Sequence, residues 1–210
     1  MKPLVVGVTG ASGVLYAKRL VEVLVEAGRP VEVVISEPAR LVIHEELGIR
    51  PRSFTAPEDL AGLFGSASPD WVRVYSPRDF TAPIASGSYP VAGMIVIPCS
   101  MGTLGAIASG ISQNLIHRAA DCMLKENRPL VLVPRETPLS AIHLENMLKL
   151  ARLGARIVPA MPGFYAGTRS LQEIVDFVVG KVLDQIGIEH VLYPRWTGSL
   201  NSAGALEQRP

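Results

Sequence analysis

Arg135 and Glu136 stand side by side where a strand-like run ends, a costly place for two charges unless something binds them. Upstream, Arg118 and Lys125 lie seven residues apart, two turns of one helix, and so point the same way. Three cations and one carboxylate near a strand end make a phosphate or pyrophosphate clamp, with arginine offering a bidentate fork. Taken alone, Arg118 and Lys125 suit a solvated basic helix face equally well. In "PGFYAGTRS", Tyr165 sits on a glycine-flanked loop, and Lys181 lies on the helix that follows. A phenol and an ammonium could complete a phosphate pocket, or Lys181 is simply a surface lysine. Trp196 ends "LYPRW" with a large π face that could shield a cation or seal the core. Glu46, in "HEELG", is either an ordinary helical glutamate or a proton relay.

A second anion signal is "VVGVTGASGVLYAKRL", residues 5–20, in which a buried apolar run breaks at glycines and turns helical. A strand, a tight turn and a helix aim backbone N–H groups and a positive helix end at one point, which suits a phosphate. The same glycines could serve only a tight turn and close helix packing. Counting from Gly10, Ser12 and Leu15 occupy the second and third glycine positions of the dinucleotide fingerprint, so that match is poor. Gly13-Val14-Leu15 has neither the lysine nor the hydroxyl of a P-loop. Glu37, after Ser36 at the second strand's tip, is the acidic residue an NAD site would use, but a mononucleotide or flavin phosphate fits the turn better. "PCSMGTLGAIASG" places Ser100 and Thr103 on a turn between strand and helix, with Gly102 relieving the backbone. Their hydroxyls could hold further ligand oxygens, or Ser100 is an ordinary N-cap.

Other chemistries lack their residues. The four histidines are scattered, without H-E-x-x-H, and no aspartate cluster of the kind that binds magnesium diphosphates is present. Cys99 and Cys122 lack C-x-x-C spacing and read as small buried thiols. No G-x-S-x-G elbow occurs, so phosphate chemistry here is expected to run on basic side chains without a metal. A net charge of +1, from 20 basic and 19 acidic residues, offers no general attraction for nucleic acid or anionic lipid. No apolar run approaches a membrane span, and the N-terminus enters a strand without a signal-peptide pattern, so a cytoplasmic protein is expected.

The elements that position these residues follow from alternating patterns. Strands are expected at 4–8, 31–35, 72–75, 94–98, 130–134 and 156–159, and helices at 11–26, 37–47, 111–125, 140–153 and 170–186. Buried strands alternating with helices mean a mostly parallel sheet covered on both faces: one Rossmann-like, flavodoxin-like three-layer α/β domain over residues 1–196, with a fraying tail at 197–210. Ligands in such sheets gather at the strands' carboxyl ends. The connection 76–93 is long enough to be a functional loop. At 210 residues with 48% hydrophobic and 19% charged, the chain is apolar enough to suggest a homo-oligomer.

Together these motifs resemble the UbiX-type flavin prenyltransferases, formerly labelled aromatic acid decarboxylases. The likeness rests on "GVTGASG", "ASGS" at 85–88, "PCSMGTL", "NLIHRAADCMLKENRPLVLVPRETPLSAIHLENMLKLARLGA", "PAMPGFY" and "LYPRW", from Gly7 to Trp196. It implies a metal-independent enzyme that joins dimethylallyl monophosphate to reduced FMN, giving the prenylated FMN required by UbiD-type decarboxylases. It places Gly10, Ala11, Ser12, Ser36, Ser100, Met101, Gly102, Thr103 and Arg135 around FMN. Around the prenyl phosphate it places Ser86, Arg118, Lys125, Glu136, Tyr165 and Lys181, some contributed by neighbouring subunits of the family's dodecamer. By the same resemblance Glu136 protonates the departing phosphate, Trp196 shields the allylic cation, and Ser12 and Glu46 shuttle protons. Lys181 stands where many relatives have arginine, so a point charge replaces a fork. Two other readings are weighed against this one. A related flavin-dependent cysteine decarboxylase would carry a "PASANT"-like turn where this chain has "PCSMGT". A non-catalytic flavin carrier would leave the basic cluster without a purpose.

Overall fold

The computed structural model describes residues 1–50, 62–64, 71–164, 170–196 and 198. Six parallel strands form one sheet in the order β3-β2-β1-β4-β5-β6. They are β1 (Leu4–Val8), β2 (Val31–Ile35), β3 (Val72–Tyr75), β4 (Gly93–Cys99), β5 (Leu130–Pro134) and β6 (Arg156–Ile157). Every residue of β1, β2, β4 and β5 is buried, as expected for strands covered on both faces. Alternate side chains feed two cores. Leu4, Val6, Val8, Ile95 and Ile97 face one, and Val5, Val34, Met94 and Val96 face the other.

Helices α1 (Val14–Glu26), α2 (Glu37–Leu47) and α6 (Leu171–Gln185) accompany the first core. Helices α3 (Met101–Ala108), α4 (Leu115–Lys125) and α5 (Ala141–Arg152) accompany the second. The amphipathic face of α1, with Val14, Ala17, Leu20, Val21 and Leu24 buried, seats it on the sheet beside α6.

The structure differs from the periodicity reading at several element ends. Helix α1 starts at Val14, not at residue 11, because Gly13 adopts φ 103 and the preceding residues form the turn. Helix α4 starts at Leu115, where the Asn114 side chain accepts from the His117 N–H. The residues before α4 are not its first turn, because Gly110, at φ 69, closes α3, a helix absent from the expected set. Strand β6 is only two residues long, ending before Pro159, which has no N–H to donate. The connection after β3 is pinned: Ile84 is buried, and Arg128 donates to the carbonyls of Gly87 and Tyr89, both at 2.6 Å.

Candidate active site

In this strand order the chain leaves adjacent β1 and β4 in opposite directions, which opens a crevice at their carboxyl ends. Thr9 ties the two lips together. Its hydroxyl donates to the Pro98 carbonyl at 2.7 Å and accepts the Ser100 N–H at 2.7 Å. Two helix N-termini, those of α1 and α3, begin at this crevice.

The α1 end is already occupied by the chain itself. Gly13 and Val14 donate their N–H groups to the Glu46 carboxylate at 2.9 Å each, and Gly13 also reaches its second oxygen at 3.0 Å. An internal anion thus neutralises the helix end, which corrects the expectation that its donors await a phosphate. The glycines have local reasons too. A Cβ on Gly10 would stand 2.5 Å from Pro38 on α2, and one on Gly13 would stand 2.8 Å from the Tyr16 ring. They serve close packing and the turn. Ahead of them, the N–H groups of Gly10, Ala11 and Ser12 have no partner among the described residues.

The α3 end is open. Ser100 caps it, accepting the Thr103 N–H at 3.3 Å and donating its hydroxyl to Thr103 Oγ1 at 3.1 Å. The N–H groups of Met101 and Gly102 have no partner among the described residues, and a Cβ on Gly102 would meet nothing within 4 Å. Main-chain donors, two hydroxyls and a missing side chain together make a cradle for an anion. Ser36, by contrast, is spent on structure: it is buried, caps α2 through the Ala39 N–H, and donates its own N–H to the Val8 carbonyl.

Strand β5 brings Arg135 and Glu136 to the same edge. The Arg135 N–H donates to the Cys99 carbonyl at 3.3 Å, and its Nε donates to the Ser12 carbonyl at 3.1 Å, closing β5 onto the glycine turn. Beside them a cavity of about 430 Å³ is lined by Arg135, Glu136, Thr137, Leu139, Met147 and Met161, among others. Glu136 accepts the Thr137 N–H at 2.9 Å through one oxygen. Tyr16, which the sequence did not single out, belongs to this neighbourhood. Burial pushes its phenol up, the Arg135 charge opposes that, and the Glu46 charge adds to it. Its only sequence signal is its place in the first turn of α1.

The remaining predicted residues lie elsewhere in the chain. Arg118 donates from Nε to the Ala85 carbonyl at 3.0 Å, and Lys125 lies 3.6 Å from Glu126. Ser86, on the connecting segment packed there, pairs with the Ser88 hydroxyl at 2.8 Å. Helix α4 starts near the tip of β3, where the Leu115 N–H meets the Pro77 carbonyl, and descends toward the start of β5. Lys125 therefore sits about 10 Å below Arg118 along the axis, and the two do not share a hollow with Arg135 and Glu136. Lys181 rides the distal half of α6, and Trp196 directly follows Arg195, which folds back onto Asp184 of that helix. Tyr165 and most of the predicted tail lie outside the described residues.

The buried thiols are poor nucleophiles: burial pushes Cys99 up to about 12 and also raises Cys122. Burial lowers His117, keeping it neutral. Among the described residues no three of His, Cys, Asp and Glu gather as a metal site, and no helix is long and apolar enough to cross a membrane.

Residues 1–183 match the family model described as Flavoprotein. A flavin prenyltransferase UbiX from Halalkalibacterium halodurans is 54% identical over 193 residues, covering 91% of each chain. The crystal structure of AnUbiX (PadA1) in complex with FMN and dimethylallyl pyrophosphate superposes with a TM-score of 0.83 at 39% identity, covering 94% of this chain and 98% of that one. A dodecameric FMN-dependent UbiX-like decarboxylase from Escherichia coli O157:H7 superposes with a TM-score of 0.82 at 45% identity, over 94% of this chain and all of the other. A crevice built this way, on a chain this similar from end to end, makes the protein a member of the flavoprotein family and, within it, of the UbiX flavin prenyltransferases.

Proposed function

We propose that the protein transfers the dimethylallyl group of dimethylallyl monophosphate to N5 and C6 of reduced FMN, giving the prenylated flavin that UbiD-type decarboxylases use. The observation that carries this reading is the open α3 cradle facing the crevice that Arg135 closes onto Ser12. The cradle fits a flavin's phosphate. The free N–H groups of Met101 and Gly102 and the hydroxyls of Ser100 and Thr103 supply donors, and Gly102 leaves room for close approach. The unpartnered N–H groups of Gly10, Ala11 and Ser12 suit the polar edge of a flavin ring, with Ser36 supporting that rim and the Arg135 guanidinium closing it. When bound, reduced FMN supplies the electron-rich N5 and C6 atoms.

The chain's own residues do the rest. Glu136 carries the proton that stabilises the departing phosphate oxygen. Arg118, Lys125, Lys181, Ser86 and Tyr165 grip the prenyl phosphate electrostatically and need no reorganisation as its charge grows. Trp196 presents an indole face to the allylic carbons and excludes water. Glu46, held as an acceptor by two N–H groups, is arranged to take a proton that Ser12 relays.

Because these residues sit on separate flanks of the chain, neighbouring copies complete each site. The exposed apolar side chains Ile142, Leu144 and Leu148 on α5 supply a surface for such contacts, and the homologous E. coli protein is dodecameric. The protein works in the cytoplasm as a homo-oligomer of this kind. Mixing the protein anaerobically with reduced FMN and dimethylallyl monophosphate should yield a flavin adduct heavier by one five-carbon unit on mass spectrometry. FMN bound without an adduct would instead mark a flavin carrier, and a parallel reaction with the diphosphate sets the leaving-group preference.

A further inference from the structure

The paired register of β1 and β4 runs from Leu4 and Gly93 to Gly7 and Val96. Beyond it β4 reaches Pro98, which has no N–H to give to either neighbour, just before the chain leaves the two strands in opposite directions. Thr9 supplies the missing links. Its N–H reaches the Pro98 carbonyl at 3.3 Å, its hydroxyl donates to the same carbonyl at 2.7 Å, and that hydroxyl accepts the Ser100 N–H at 2.7 Å. Thr9 is 1% exposed, and the Ser100 N–H has no other partner among the described residues. Giving one hydrogen bond while taking another needs a hydroxyl, which a valine of the same shape lacks.

Each end of this bridge adjoins a set of open main-chain donors. Thr9 is followed directly by Gly10, Ala11 and Ser12, and Ser100 by Met101 and Gly102, whose N–H groups have no partner among the described residues. The Ser100 side chain is committed to its own cap, through the Thr103 N–H and Thr103 Oγ1, so the cap moves with the Ser100 backbone. Arg135 ties the same two segments from β5, through the Cys99 and Ser12 carbonyls at 3.3 and 3.1 Å, with its Ser12 bond exposed. The Thr9 hydroxyl bonds are shorter and better shielded from water, so they set the spacing more tightly.

We propose that Thr9 is a positioning residue that holds the two donor sets at the separation one FMN molecule spans, so that its ring edge and its phosphate are seated together. The inference rests on the reading of the α3 cradle as the phosphate seat and of Gly10, Ala11 and Ser12 as the ring seat. A ligand that engages both seats gains from their spacing, and a ligand that engages only one does not. Thr9 is buried with its hydroxyl proton already given to Pro98, so it acts through that spacing and not by contact.

Riboflavin, which lacks the phosphate, and inorganic phosphate, which lacks the ring, are the one-ended probes. Thr9→Val keeps the side chain's shape and removes both hydroxyl bonds. It should raise Kd for FMN about tenfold, while Kd for riboflavin and the inhibition constant of phosphate against FMN stay within about twofold. Thr9→Ser keeps the hydroxyl and should bring FMN binding back to within about threefold of the parent. Should Thr9→Val fold poorly, Thr9→Cys, whose thiol bonds only weakly, should show the same pattern at smaller size. Unchanged FMN affinity in both variants, or FMN and riboflavin weakened alike, would overturn the proposal, as would a Thr9→Ser that binds FMN as poorly as Thr9→Val. A parent protein that binds FMN no more tightly than riboflavin would overturn the two-seat reading and the proposal with it. A parent that prefers FMN yet makes no adduct would overturn the prenyl-transfer reading and leave the positioning by Thr9 standing.

Discussion

Arg135 reaches across the sheet edge and donates from Nε to the Ser12 carbonyl at 3.1 Å, joining residues 123 positions apart. The contact uses one nitrogen of the fork and leaves the other two without a partner among the described residues. Lysine at this position would keep a charge but could not hold Ser12 and a ligand together. Arg135→Lys should therefore weaken FMN binding about tenfold or more, as expected for a lost charge-assisted hydrogen bond. Titration of FMN fluorescence measures this, and unchanged affinity would mean that the arginine only closes the turn.

Two glycine substitutions should behave in opposite ways. Gly10→Ala drives a Cβ to 2.5 Å from Pro38 and should destabilise the protein by about 1–3 kcal/mol, as overpacking does. Gly102→Ala meets nothing in the chain and sits in a helix, where alanine is favoured. The melting temperature without flavin should hold or rise while FMN affinity falls. If Gly102→Ala binds FMN as tightly as the parent, the α3 cradle is not the flavin phosphate site.

Glu46 has one duty in the fold and a separable one in the proposed reaction. Its carboxylate caps α1 through Gly13 and Val14, and losing a cap costs about 1 kcal/mol. Glu46→Ala should then lower the melting temperature by about 2–4 °C. Glu46→Gln keeps an acceptor oxygen and most of that stability but cannot take a proton, so thermal scans should look near normal while ring closure slows.

Glu136 carries a different test. Glu136→Gln preserves shape and hydrogen bonding but has no proton to give to the leaving phosphate. FMN binding should be unaffected, and adduct formation should slow by about 10²–10⁴-fold, the usual worth of a positioned acid. Unaltered turnover in stopped-flow assays would remove it from that role.

Glu32 makes stability depend on pH in an unusual direction. It is 5% exposed, accepts the Tyr89 hydroxyl at 2.7 Å, and its second oxygen has no partner among the described residues. Burial pushes its carboxyl up, more than the Tyr89 hydrogen bond and the Arg73 charge pull it down. Between the ordinary carboxylate value and that raised one the native state holds more protons than the unfolded state, so stability falls as pH rises through the window. Glu32→Gln removes the penalty. Its melting temperature should exceed the parent's at pH ~8 by more than at pH ~4, and an equal difference at both would rule this out.

The parts written in local periodicity were legible. Strand β2 and helix α2 lie where the pattern places them, because an unbroken buried run and a Ser36 cap are both local signals. Helix α3 was not, since Met101–Ala108 is apolar on most sides and short, so no polar face marks it. The site was legible in its residue types more than in its geometry. "GVTGASG" reads as an anion turn, yet the anion it holds is Glu46, 33 residues away. One local clue exists: α1 begins on a glycine, with no capping side chain and no acidic residue in its first turn, so it must take an acceptor from elsewhere. Arg118 and Lys125 were rightly placed on one helix face, but their distance from Arg135 depends on which way α4 runs across the sheet. No spacing encodes that.

The cradle proposed for the flavin phosphate at Met101 and Gly102 is made of peptide groups and the hydroxyls of Ser100 and Thr103, which neither gain nor lose protons near neutral pH. Its hold on a phosphate should track the ionisation of the ligand alone.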